Sequence, residues 1–370
     1  MTDHQFQFIE TQVFSLERQQ MGWKREEDIP YVTCFEENRL DCAELLDADY
    51  VLFGGAPRQL IEQRLKKHKL VFKYSERVFK HGYDRRKWLP RVLRYWWFYT
   101  RHRSLYLLCA SGYTAADFAR HRAFLGKSYK WGYFPETRHY DVERLLAKKE
   151  PNRILWCGRF LDWKHPEAAL ETAWRLKAAG YKFQLDMIGT GELEPMLREQ
   201  IKTRGLSDCV TLLGSMSPDR VRQHMERAGI FLFTSDFGEG WGAVVNESMN
   251  SGCAVVASHA AGAVPFLIKH KENGIVYQSG DQDALYTAVK QLLDQPSEQA
   301  RLGRLAYAAI AELWNAEVAA KRFLILAQQI QEHGYCDLFE EGPCSRAFPL
   351  RNDWFKSSEN GRKKNDPCEP

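Results

Sequence analysis

Ile230-Phe231-Leu232-Phe233-Thr234-Ser235-Asp236-Phe237-Gly238-Glu239-Gly240-Trp241-Gly242-Ala243-Val244-Val245-Asn246-Glu247-Ser248-Met249 decides how the rest of this chain is read. The first residues form a short apolar run, the pattern of a parallel strand buried on both faces. A loop with three glycines follows, then a segment with helical spacing that meets Ser251-Gly252, a helix stop. Strand, glycine loop and helix start, in that order, offer free backbone N–H groups and a positive dipole end to an anionic or hydroxyl-rich ligand. Glu239 falls in the loop, and Glu247, eight residues on, falls in the helix. The two carboxylates can therefore reach different parts of one elongated ligand. An ordinary helix with two solvated acids shares this spacing, so the motif takes its weight from its neighbours.

Arg153-Ile-Leu-Trp-Cys-Gly158 reads as a second buried strand. It leads into Arg159-Phe-Leu-Asp-Trp-Lys164-His165-Pro166, and Pro166 opens an amphipathic helix over Glu167–Ala179 that Gly180 ends. Two cations five residues apart in a strand-end loop suit a diphosphate, whose charge needs fixed positive groups. Further on, Phe183–Ile188 runs into Gly189-Thr190-Gly191, a G-x-G turn without a third glycine. Val210–Leu213 runs into Gly214-Ser215-Met216-Ser217, and Pro218 starts a helix to about Arg227. Ala254–Ser258 is another strand, and Asn273-Gly274 marks a turn before Ile275–Tyr277. From Arg153 to about Leu326 the β–α alternation repeats six times, which predicts a parallel, doubly wound sheet.

These segments together resemble the retaining glycosyltransferases of family four, whose GT-B architecture sets two Rossmann-like domains across a cleft. The E-x7-E signature falls on Glu239 and Glu247, and the G-R-x-x-x-x-K pattern falls on Gly158, Arg159 and Lys164. The resemblance implies a nucleotide-diphosphate sugar donor in the C-terminal half, with the acceptor on the N-terminal side. It implies that Arg159 and Lys164 neutralise the departing diphosphate and that Glu247 accepts the ribose hydroxyls. Glu239 would hold the sugar ring, with Gly240, Trp241 and Gly242 offering backbone donors. Met216 would lie against the nucleobase. Family chemistry retains anomeric configuration, by attack on the face that the leaving group departs from. The family usually carries a Pro-Glu in the turn after the Ala254–Ser258 strand, whereas this chain has Pro265-Phe266.

The N-terminal half carries a looser resemblance, through Tyr74-Ser75-Glu76-Arg77 and Tyr129-Lys-Trp-Gly-Tyr-Phe-Pro135, to a bacterial polysaccharide-associated branch of the family. Phe6–Ile9, Val51–Phe53, Leu70–Tyr74 and Ser104–Cys109 read as strands. Asp41–Leu46, Pro57–Lys67, Arg86–His102 and Ala115–Phe124 read as helices. Against the family, this half is expected to lack its first β–α unit. Where many relatives place a His after the fourth strand, this chain has Ser75-Glu76-Arg77. Either another polar group serves there, or the chain is a catalytically impaired binder of nucleotide sugars.

The domain expectation is an acceptor-side domain over 1–150 and a donor domain over 151–333, whose final helix (Glu312 to about Gln331) crosses back. A polar tail over 334–370 follows, disordered from about 357. Nine scattered cysteines without a C-x-x-C pair argue against a disulfide framework or a zinc site and suit a reducing cytoplasm. Apolar runs are too short to span a membrane, and no secretory leader is legible. Asp47-Ala48-Asp49 matches the D-x-D motif that holds a metal in the other large glycosyltransferase fold. Here it reads as a structural acidic cap, because GT-B enzymes use cations and helix dipoles instead; neither metal nor cofactor is expected.

Charge is uneven. The chain carries 52 Lys and Arg against 48 acids, a net +4. Arg58–Arg103 alone holds 15 cations against 3 acids, interleaved with Tyr74, Phe79, Tyr83, Trp88, Tyr95, Trp96, Trp97, Phe98 and Tyr99. Such a segment suits an anionic membrane surface presenting a glycan or a lipid-linked acceptor, at the inner face of the plasma membrane. A solvated cationic face is the plainer reading, and nucleic acid, bound through phosphates and stacking, is the least favoured.

Overall fold

The computed structural model describes residues 5–10, 31–34, 43–55, 58–80 and 88–356. Twelve strands, all paired in parallel, fall into three groups among these residues. In the C-terminal half, β7 (Glu150–Cys157), β8 (Gln184–Ile188), β9 (Val210–Gly214), β10 (Ala228–Phe233), β11 (Ala254–Ser258) and β12 (Ile275–Tyr277) form one sheet. Its order is β12-β11-β10-β7-β8-β9. The chain thus winds outward from β7 in one direction, returns to β10 beside β7, and winds outward in the other. This is the expected doubly wound sheet. The point where the order reverses leaves a crevice at the carboxyl ends of β7 and β10, where open α/β sheets bind ligands.

Register aligns the pair: Ile154 faces Ile230, Leu155 faces Phe231, and Trp156 faces Leu232. Successive residues alternate between two apolar clusters. Ile154, Trp156, Ile230 and Leu232 pack with the 166–178 helix side. Leu155, Phe231 and Phe233 pack with Val245, Met249 and Trp241. Burial on both faces explains why these strands read as continuous apolar runs rather than alternating ones.

The N-terminal sheet contains β3 (Leu52–Phe53), β4 (Val71–Ser75), β5 (Leu105–Cys109) and β6 (Ser128–Lys130) in sequential order. Among the described residues it shows no order reversal. A separate pair, β1 (Phe8–Glu10) with β2 (Val32–Cys34), precedes it. At three residues, β2 is too short to show a period, and the sequence reading passes over it. The predicted 86–102 helix is found as an α-helix over Trp88–Tyr95 that widens to a π-turn over Trp96–Thr100. Arg86 and Lys87 and the segment from Ser357 onward, where disorder was expected, lie outside the described residues.

The last helix, Ala316–His333, packs on the N-terminal sheet: Leu326, Ala327 and Ile330 meet Phe72, Tyr106 and Leu108. The chain then folds back along β6. Lys130 and Ala347 donate backbone hydrogen bonds to Ser345 and Ser128, while Cys344 donates to Lys130. Trp354 ends this strap, its indole donating to Tyr113 Oη at 3.0 Å.

Both D-x-D aspartates take part in contacts within the N-terminal half. Lys67 pairs with Asp47 at 2.7 Å, and buried Arg64 takes the carbonyl of Asp49 together with those of Leu45, Leu46 and Leu70. No cluster of three or more His, Cys, Asp or Glu with metal-holding geometry is found among the described residues.

Candidate functional site

Three strand-end turns stack at the switch point. Gly158 donates its N–H to the Ile188 carbonyl, Phe160 donates to Thr190, and Gly189 donates to Gly214. The approach is close enough to exclude side chains: a methyl group on Gly189, whose φ is +143°, would overlap the Gly158 carbonyl oxygen. Gly189 is therefore required by the close packing of the turn after β8 on the turn after β7.

Beyond Gly158, Arg159 is exposed, and its side chain has no protein partner among the described residues. Lys164 closes a short 3-10 turn, Asp162–Lys164. Its ammonium pairs directly with the Glu239 carboxylate, and each side chain keeps 15% of its exposure. Ser235 Oγ donates to the same Glu239 oxygen at 3.3 Å. The loop after β7 and the loop after β10 are thereby joined through the residues read from sequence as diphosphate and sugar ligands.

His165 makes a second tie that the sequence reading does not single out. It adopts the left-handed conformation (φ +47°) ahead of Pro166, with Nδ1 2.8 Å from Glu167 Oε1 and Nε2 3.2 Å from Asp236 Oδ2. Hydrogen bonding to Glu167, with Asp236 adding to it, raises its pKa to about 9. The cation bridges the two loops at neutral pH. Asp236 also caps its own turn, accepting from Gly238 N–H at 2.6 Å.

Gly242, with φ +95°, starts the helix Ala243–Asn250, and no side chain caps that end. A side chain at Gly242 would run into the Phe233 ring. Glu247 lies inside this helix, half-buried, and its carboxylate makes no hydrogen bond or ion pair among the described residues. Burial raises its pKa, against the pull of Arg222 and Arg138. Glu247 and Lys164 both act on Cys157 at the end of β7, whose thiol burial pushes up to about 12. Glu247 therefore faces the same strand end as the cationic loop.

Two predicted residues sit differently from the rest. Trp241 is 1% exposed; its indole lies in the core and donates to Asn246 Oδ1 at 2.8 Å, while its carbonyl accepts from Ala263 N–H. Met216 packs against the same cluster, half-buried, beside the end of β9. The Gly240 carbonyl is crowded by Gly262, where a methyl group would overlap it.

Residues 138–309, which contain both loops and both glutamates, match the model of the family described as glycosyl transferases group 1. Residues 138–309 belong to the group 1 glycosyl transferases. The chain is 28% identical over 201 residues to the amylovoran biosynthesis glycosyltransferase AmsK of Erwinia amylovora, covering 53% of this chain and 49% of AmsK. It is also 28% identical over 195 residues to an alpha-D-kanosaminyltransferase of Streptomyces kanamyceticus, covering 53% of this chain and 50% of that protein. The chain thus spans about half the length of the curated relatives it matches. Among solved structures, Anabaena HepE in complex with UDP superposes with a TM-score of 0.59 at 16% identity, over 81% of this chain and 85% of HepE. That likeness, with the two parallel sheets, shows a two-domain GT-B fold.

Proposed function

We propose that this chain is a retaining glycosyltransferase taking a sugar from a nucleotide-diphosphate donor. The observation that carries the reading is the ion pair of Lys164 with Glu239. It joins the loop after β7, where Arg159 also falls in sequence, to the loop after β10, which the helix carrying Glu247 follows. An exposed guanidinium and a lysine beside a helix N-terminus form a ready diphosphate cradle. The Glu247 carboxylate, half-buried and without a partner among the described residues, is suited to accept ribose hydroxyls, which would satisfy its oxygens. Glu239 is held at the loop by Lys164 and Ser235, where it can accept sugar hydroxyls. Gly158, Gly240 and Gly242 let backbone approach the ligand. Trp241 contributes there through its backbone only, because its ring belongs to the core. Met216 offers an apolar edge for the base.

In the step itself, the bond from the anomeric carbon to the diphosphate oxygen breaks, and a bond to the acceptor oxygen forms on the same face. The acceptor proton passes to the departing phosphate oxygen. Fixed cations stabilise charge as it develops, without reorganisation at that moment. AmsK is named for amylovoran biosynthesis, and a glycan or lipid-linked acceptor in surface polysaccharide synthesis fits this chain. Incubating the full chain with a panel of nucleotide sugars, and following nucleotide diphosphate release with and without glycan acceptors, tests the reading. Donor binding without any turnover would favour an impaired, binding-only relative instead.

The acceptor side favours a membrane location at the cytoplasmic face. Leu89, Leu93, Trp96 and Trp97 are 58%, 59%, 53% and 53% exposed. Their spacing places them on one face of the helix and its π-turn, and Arg101 lies over the Trp97 ring at 5.2 Å. Exposed aromatics among basic residues suit an anionic interface.

A further inference from the structure

Two consecutive residues of the N-terminal half reach the loop that carries Glu239, one on each side of it. Glu76 follows β4 and sits against Gly240: a methyl group there would collide with its carboxylate. That carboxylate pairs with Lys80 at 2.6 Å and accepts from the Tyr133 hydroxyl, so it is already satisfied. Arg77 reaches the other side of the loop. Its guanidinium carbon lies 4.9 Å from the Tyr113 ring centroid and 4.7 Å from that of Phe237. Phe237 comes two residues before Glu239.

The Arg77 side chain is only 11% exposed, and its Nε and Nη1 are buried without a hydrogen-bond partner. Its nearest acid is Asp117, at 3.5 Å, and the same Asp117 oxygen accepts from Val78 and Phe79 N–H at 3.0 and 3.1 Å. A buried guanidinium with unmet donors is costly, and the two ring faces offset that cost. Tyr113 is itself held in place, since its Oη donates to the His259 carbonyl at 2.6 Å, just after β11. On the donor side the guanidinium itself stacks on Phe237, within the acidic loop.

We propose that Arg77 is a positioning residue. Clasped between Tyr113 and Phe237, it fixes the Asp236–Gly240 loop, and with it Glu239, from across the cleft. The inference rests on the reading above that Glu239 holds the donor sugar. It explains why an arginine suits this place: only a planar guanidinium stacks on two rings, so lysine keeps the charge and loses the clasp.

The experiment uses the full chain with R77K, F237L and the double variant, R77K guarding against misfolding by a bare truncation. R77K is expected to lower kcat at least ten-fold while nucleotide-diphosphate affinity, measured by calorimetry, stays within two-fold. F237L should act alike, and the double variant should be no worse than the worse single, as for partners in one contact. Hydrogen exchange supplies a readout that needs no turnover: amides of Gly238–Gly240 should exchange at least ten-fold faster in R77K, with those of the 159–164 loop unchanged. Wild-type kcat in R77K, or multiplicative single effects, overturns the proposal. Should wild type transfer no sugar at all, the functional reading fails, and unchanged loop exchange in R77K then overturns the clasp separately.

Discussion

Lys164 and Glu239 form a direct ion pair across the switch point, joining the loop after β7 to the loop after β10. Each is the other's main neutralising partner in a site that keeps little solvent. The pair sets the geometry of two groups read as ligands of different parts of the donor. The resting site is therefore pre-organised by the same charges that substrate would recruit.

Lys164→Ala and Arg159→Ala should separate stability from catalysis. Each should cost about 2–4 kcal/mol in transfer, the size expected for one aimed group. Lys164→Ala should also lower thermal stability, because Glu239 is left largely buried without its cation. Arg159→Ala should leave the melting temperature unchanged, since its side chain is exposed and unpartnered. Thermal unfolding beside transfer kinetics checks both.

Glu239→Ala and Glu247→Ala should divide the donor between them. Glu247→Ala is expected to weaken the free nucleotide diphosphate as well as the sugar donor, because both carry the ribose. Glu239→Ala should leave free-nucleotide affinity nearly unchanged and depress transfer. Calorimetric titration with the nucleotide decides. Burial raises the Glu247 pKa, so its ionised form opposes folding and stability falls as pH rises through its titration. Glu247→Gln should therefore be more stable at neutral pH and bind nucleotide worse.

His165 gives a pH signature of opposite origin. Its pKa is raised to about 9, first by Glu167 and then by Asp236. A base with a raised folded pKa contributes stability that is complete below the unfolded value, about 6.5, and is lost as pH rises through the folded one. Chemical unfolding between pH 6.5 and 9.5 should show a decline that His165→Gln removes. An unchanged pH slope in that variant would contradict the bridge.

The Leu89–Trp97 face should bind vesicles containing phosphatidylglycerol and release them as salt rises, since exposed charges are screened within about 8–10 Å near physiological ionic strength. Trp96→Ala with Trp97→Ala should weaken that binding without altering donor affinity. Co-sedimentation with anionic and neutral vesicles measures it, and equal binding to both would leave only a solvated basic face.

Chain order and residue type alone determined the C-terminal sheet, because its signals are local. Apolar runs between glycine turns mark strands buried on both faces, and Pro166, Pro218 and Gly180 punctuate the helices where they occur. The E-x7-E and G-R-x-x-x-x-K spacings were legible for the same reason, as each lies within one loop and its adjoining element. Which side chains turn inward was not legible. Trp241 and Arg159 sit in equally suggestive loops, yet one fills the core and the other stays open. Arg64 looks like any surface cation until the fold brings four carbonyls to it. Arg77 and Phe237 are 160 positions apart, and residues 336–347 read as a polar tail although Cys336 and Cys344 are buried against β6. Such burial depends on partners distant in the chain, which local propensity does not encode. Only the assembled tertiary structure, within each half and between them, decides it.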